Sequence, residues 1–152
     1  MPKVVSIHSY RGGTGKSNFT ANLATTVAML GNRVGVVDTD IQSPGIHNLF
    51  GLEPERMEKT LNNYLWGQAA IEDTAYDVSA NFDLHSDGKI FLVPSSVKAD
   101  DISRILSEGS DTSRMTDNPE LIQDDRTTQF KVASQFNSGG CFSLSFLSHR
   151  LV

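Results

Sequence analysis

One short run constrains this chain more than any other feature. Tyr10-Arg11-Gly12-Gly13-Thr14-Gly15-Lys16-Ser17 joins a β-branched segment, Lys3–Ser9, to a helical pattern that begins at Lys16. A glycine-rich turn between a strand and a helix lets backbone N–H groups curl around an anion. The helix N-terminus adds unpaired donors and a partial positive charge. In that setting the Lys16 ammonium reaches the β- and γ-phosphates of a nucleotide, and the Ser17 hydroxyl ligates Mg²⁺. The run therefore predicts a binding site for ATP or a close relative, with Gly12, Gly13, Thr14, Gly15, Lys16, Ser17 and Asn18 around the phosphates.

The flanking sequence supports that context. Phe19, Leu23, Val27 and Leu30 recur at steps of four, four and three from Lys16 to Leu30, with Ala24 beside them, and Gly31 stands where a left-handed helix cap belongs. Arg33–Asp38 is nearly all apolar, as in a parallel strand buried on both faces. Further on, Thr60–Trp66 reads as a helix with Thr60 as N-cap, Ile46–Leu52 as a short helical turn, and Lys89–Pro94 as a third strand. Ser95 and Ser96 open another helix, with Asp100 and Asp101 in its first turn, an apolar stripe of Ile102, Ile105 and Leu106, and Gly109 at its end. This alternation predicts an α/β fold with a mostly parallel sheet flanked by helices.

The 152 residues suit one compact domain, and a net charge of −5 with no Lys/Arg cluster argues against nucleic-acid or anionic-membrane binding. The single cysteine, Cys141, offers neither a disulfide nor a cluster framework, which fits a reducing cytoplasm. No signal peptide or membrane span is visible. His8, His47, His85 and His149 lack ligand spacing. Trp66 reads as core or as part of a contact patch with Tyr64 and Leu65.

The loop departs from the standard G-x-x-x-x-G-K-[ST] pattern, because Tyr10 stands at its first glycine. A doubled glycine preceded by a basic residue takes its place. Here the chain resembles the MinD/ParA-type ATPases, whose deviant Walker A motif is x-K-G-G-x-x-K-[ST]; Arg11 stands where that family has its signature lysine. Val37-Asp38-Thr39-Asp40-Ile41-Gln42-Ser43-Pro44-Gly45 is similar to the family's second strand and first switch. The resemblance implies a P-loop NTPase domain over residues 1–109 and Mg²⁺-dependent ATP hydrolysis that drives partition or positioning of cell components. It also implies an ATP-dependent homodimer and a protein partner. It gives Arg11 a role across the dimer on the partner's phosphates, Asp38 a place near the Mg²⁺ shell beside Ser17, and Asp40 the task of orienting the attacking water.

A second acidic strand end of the D-x-x-G type is expected after the Ser96–Glu108 helix and is not found. Asp87-Gly88 follows a polar stretch that makes a poor buried strand. Residues 110–152 change character: Ser110–Asp125 is polar and acidic without a period, although Phe142, Leu144 and Phe146 alternate with serines as in a strand. The tail thus reads as irregular and foreign to the fold, as in a shortened or frame-shifted relative. If unpaired, its apolar strand would form a sticky edge. Two alternatives to an ATPase follow: a nucleotide-holding switch that does not hydrolyse, and an inactive remnant. Nitrogenase iron-protein relatives need cluster cysteines, which a lone Cys141 does not supply. Ligases of the dethiobiotin-synthetase kind lack the Arg11-Gly12-Gly13 start.

Overall fold

The computed structural model describes residues 3–9, 13–84, 87–107 and 141–148. Strand β1 (Lys3–Ser9) leads through the glycine turn into helix α1 (Lys16–Met29), and Arg33–Asp38 returns as β2. Gly31 takes φ 83° after the helix, and its N–H donates to the Ala28 carbonyl. Short helices α2 (Ile46–Leu49) and α3 (Leu61–Leu65) follow, then the two-residue strand β3 (Tyr76–Asp77), β4 (Lys89–Val93), α4 (Ala99–Ser107) and β5 (Cys141–Ser148). Thr60 caps α3 in a reciprocal box with Asn63.

The five strands form one sheet in the order β1-β5-β2-β4-β3. The pairings β1–β5, β5–β2 and β2–β4 are parallel, and only β3 runs antiparallel. The apolar alternation of Phe142, Leu144 and Phe146 therefore belongs to a central strand, paired on both sides by β1 and β2. The remainder of the stretch after Ser107, outside β5, lies beyond the described residues.

The sheet separates two apolar clusters. On one face Val34, Val36, Ile90 and Leu92 pack with Ala24, Ala28, Ile46, Phe50, Leu52, Met57 and Val78. On the other, Val37 and Val93 meet Leu61 and Ile71. The period-two alternation within β2 and β4 sorts these residues between the faces.

The α1 face differs from the sequence expectation. Phe19 and Leu30 are exposed, at 59% and 76%, while Thr20, Ala24 and Ala28 are fully buried, with Leu23 and Val27 packed at their margin. The reason is close approach. A Cβ at Gly88, just before β4, would stand 2.1 Å from the Ala28 carbonyl oxygen, so only small residues fit at that crossing. Thr20, two turns nearer the start of α1, is buried with its hydroxyl donating to the Lys16 carbonyl at 2.9 Å. Trp66 is half-buried, and the Arg104 guanidinium lies 4.3 Å from its ring centroid, which joins α3 to α4.

Candidate functional site at the carboxyl ends of the strands

Because β1, β5, β2 and β4 run parallel, their carboxyl ends share one edge of the sheet. In open α/β sheets that edge is where ligands bind. The glycine turn leaves β1 there, Asp38 ends β2 there, and Pro94-Ser95-Ser96 leaves β4 there.

Gly13 and Gly15 have φ of 75° and 81°. That left-handed backbone is costly for any residue with a Cβ. A Cβ at either position would meet nothing within 4 Å, so what glycine supplies here is conformation rather than room. Gly15 is the N-cap of α1, without a side-chain cap and without an acidic residue in the first turn. The first intrahelical bond runs from Phe19 N–H to the Gly15 carbonyl at 2.8 Å, so the preceding amides have no acceptor within the helix. These are the attributes of an anion site. Lys16 and Ser17 are half-buried at its base, and Gly13, Thr14, Gly15 and Asn18 are exposed. Arg11 and Gly12 lie outside the described residues.

Asp38 is 1% exposed. Burial pushes its carboxyl up to about 7, and the neighbouring Asp40 charge adds to the rise. The backbone N–H groups of Asp40, Gly45 and Ile46 oppose it. Of these only the Asp40 N–H meets hydrogen-bond geometry, donating to Asp38 Oδ1 at 3.0 Å; the Gly45 and Ile46 N–H groups act on the carboxyl without bonding it, and Asp38 Oδ2 has no hydrogen-bond partner among the described residues. A buried carboxylate oxygen without a partner at a ligand-binding edge fits a divalent cation, which would hold the group ionised. Asp40 is half-buried, and its Oδ1 accepts from the Ser43 N–H at 3.2 Å, which orders the loop after β2.

The sequence reading brought Lys16, Ser17, Asp38 and Asp40 to this edge but took Ser95 and Ser96 only as a helix start. Both are buried. The Ser95 hydroxyl donates to the Asp38 carbonyl at 2.7 Å, and the Ser96 N–H donates to Asn62 Oδ1 at 2.8 Å. The one available signal was a Pro-Ser-Ser run directly after a buried strand.

The family model ParA, described as NUBPL iron-transfer P-loop NTPase, matches residues 1–110. An uncharacterised ATP-binding protein of Methanocaldococcus jannaschii is 40% identical over 77 residues, covering 51% of this chain and 28% of that protein. An iron-sulfur cluster carrier protein of Aquifex aeolicus is 43% identical over 54 residues, 36% of this chain and 15% of that one. The septum site-determining protein MinD of Pyrococcus horikoshii, complexed with Mg-ADP, has the same fold with a TM-score of 0.69 at 22% identity, over 100% of this chain and 51% of that one. The chain thus spans about half the length of that structure and less of the curated relatives.

Proposed function

We propose, from the premise that this chain belongs to the ParA family of P-loop NTPases, that it binds ATP with Mg²⁺ at the carboxyl edge of its sheet. The supporting observation is the pairing of a left-handed Gly13/Gly15 turn at the N-terminus of α1 with a buried, half-satisfied Asp38 at the end of β2. Gly12, Gly13, Thr14, Gly15 and Asn18 would surround the phosphates and Lys16 would offset their charge. Ser17 and Asp38 would hold Mg²⁺, which when bound neutralises phosphate charge. Asp40 would orient a water, and Arg11 would reach the phosphates of a second copy in an ATP-dependent dimer.

One observation favours a switch that holds nucleotide over an efficient hydrolase. β5 lies between β1 and β2, and at the edge its residues are Phe146, Leu147 and Ser148, with Phe146 opposite Asp38. The strand that flanks both halves of the site therefore ends without an acid.

The biological reading moves from partition or positioning of cell components toward iron–sulfur cluster delivery. Several relatives at 36–45% identity are named iron-sulfur cluster carriers or cytosolic Fe-S cluster assembly factors. Cys141 is the only cysteine of the chain, and one thiolate does not bind a cluster, so this proposal assigns the chain the nucleotide step alone. No helix among the described residues is long and apolar enough to cross a membrane. A reducing cytoplasm is the compartment we propose.

The test is a titration with ATP, ADP and GTP, with and without Mg²⁺, on the parent and on Lys16→Ala, with turnover measured in parallel. Charge-assisted contacts contribute ~1.5–3 kcal/mol each, so Lys16→Ala should weaken ATP binding by roughly ten- to a hundredfold with an unchanged circular dichroism spectrum. A variant that binds as tightly as the parent removes the phosphate-loop assignment. Turnover separates the hydrolase from the switch.

A further inference from the structure

Among the described residues, four buried side-chain atoms lack a hydrogen-bond partner: Asp38 Oδ2, Thr39 Oγ1, Asn62 Nδ2 and His47 Nδ1. Native proteins leave few such groups, and each calls for an explanation. Three of the four belong to one seam. Asp38 ends β2 and Thr39 follows it. Ser95, leaving β4, donates its hydroxyl to the Asp38 carbonyl at 2.7 Å, and the next residue, Ser96, donates its N–H to Asn62 Oδ1 at 2.8 Å. The Leu61 N–H at the start of α3 donates to the Pro94 carbonyl at 2.8 Å.

The Pro94–Ser96 segment is thus held on both sides. Ser96 Oγ accepts from the Lys98 N–H and donates to the Asp101 carboxylate, which fixes the turn into α4. Pro94 O and Ser96 N are tied to α3. Between them the Ser95 hydroxyl, fully buried, holds the carbonyl of Asp38. A carboxylate that must meet a cation at a fixed distance depends on where its own backbone sits, since an error of about 1 Å is costly in such sites.

We propose that Ser95 is a positioning residue for Asp38. Its hydroxyl sets the backbone from which the Asp38 carboxylate meets a divalent cation on a nucleotide, and it couples that carboxylate to the α3–α4 junction. This rests on the proposed nucleotide site and adds to it a residue that touches neither nucleotide nor cation.

The experiment measures ADP affinity by equilibrium titration with excess Mg²⁺ and again with a chelator. It compares the parent, Ser95→Ala, Ser95→Thr and Ser95→Cys. Loss of one buried hydrogen bond should weaken Mg-ADP binding by roughly three- to tenfold in Ser95→Ala. Metal-free ADP, held by the loop amides and Lys16, should change less than about twofold, since those groups are untouched. Ser95→Thr keeps the hydroxyl and should restore the Mg²⁺-dependent gain; Ser95→Cys, a weaker donor, should fall between. If Ser95→Ala does not fold, the Thr and Cys pair carries the comparison, and a Cys variant equal to the parent overturns the proposal. So does a Ser95→Ala variant with the parent's Mg²⁺ dependence, or one that loses both affinities equally. A parent that binds ADP no better with Mg²⁺ than without it removes the proposed cation site itself, which is a separate failure visible before any variant is made.

Discussion

His47 is 4% exposed, and its Nδ1 has no partner among the described residues. Burial lowers its pKa below the ordinary 6.5, with Glu53 opposing. Its folded-state pKa is therefore depressed, and protons bind the unfolded chain first as pH falls. The stability this group contributes is complete above about 6.5 and is lost as pH falls through that value toward the folded one. Asp38 has the opposite sign: its raised pKa makes the folded state bind the proton first, so stability falls between its ordinary 3.8 and about 7 as pH rises. The two slopes overlap, and a single melting curve does not separate them. Melting of the nucleotide-free protein from about pH 5 to 7.5, for the parent and His47→Gln, isolates the histidine. The parent should lose more stability than the variant on acidification below about 6.5. Equal slopes would show that His47 titrates alike in both states.

Elements impose a different kind of constraint, which two glycines illustrate. At Gly15 the need is conformational, since φ is 81° and there is space around the missing Cβ. At Gly88 it is steric, because α1 crosses so near β4 that a methyl would strike the Ala28 carbonyl at 2.1 Å. That obstacle is backbone and does not swing aside. Gly88→Ala should force α1 off the sheet locally and destabilise the protein by about 1–3 kcal/mol, the usual range for overpacking. A urea melt gives the number, and a midpoint equal to the parent's would show that α1 and β4 are not in that contact. The same crossing sets how closely the carboxyl end of α1, at Ala28, lies on the sheet. Helical periodicity alone selected Phe19 and Leu30 for the core because they are large and apolar. The buried face runs through Thr20, Ala24 and Ala28, of which the periodic set held only Ala24, and side-chain spacing carries no record of the partner's shape.

At the scale of the whole molecule the prediction concerns pairing of two copies. Arg11, outside the described residues, stands where the family's signature lysine would be, and a trans-acting guanidinium can stabilise charge on a neighbour's phosphates. A two-fold arrangement would place each Arg11 at the other copy's site. Light scattering with ATP and with ADP should then show ATP-dependent dimers for the parent. Arg11→Ala should lose them yet bind ADP nearly as before, and Arg11→Lys should keep them. A parent that stays monomeric with ATP, or an Arg11→Ala variant that still dimerises, returns Arg11 to a solvated turn residue. A guanidinium is planar and bulkier than an ammonium, so Arg11→Lys is itself informative about how tightly the position is fitted.

The strand–turn–helix–strand unit and its phosphate loop were legible in the chain because local chemistry determines them. Glycines permit the left-handed turn, β-branched runs favour strands, and Lys16 and Ser17 follow at fixed offsets. Burial of β2 on both faces was legible as well, in its nearly unbroken apolar run. Strand order was not legible. That Cys141–Ser148 lies between β1 and β2, and that Ser95 reaches across to the carbonyl of Asp38, 57 residues earlier in the chain, depends on pairings between distant segments. Hydrogen-bond partners of that separation leave no periodic trace. They are selected by which arrangement buries both faces of the sheet at once, and only the assembled tertiary structure expresses that choice.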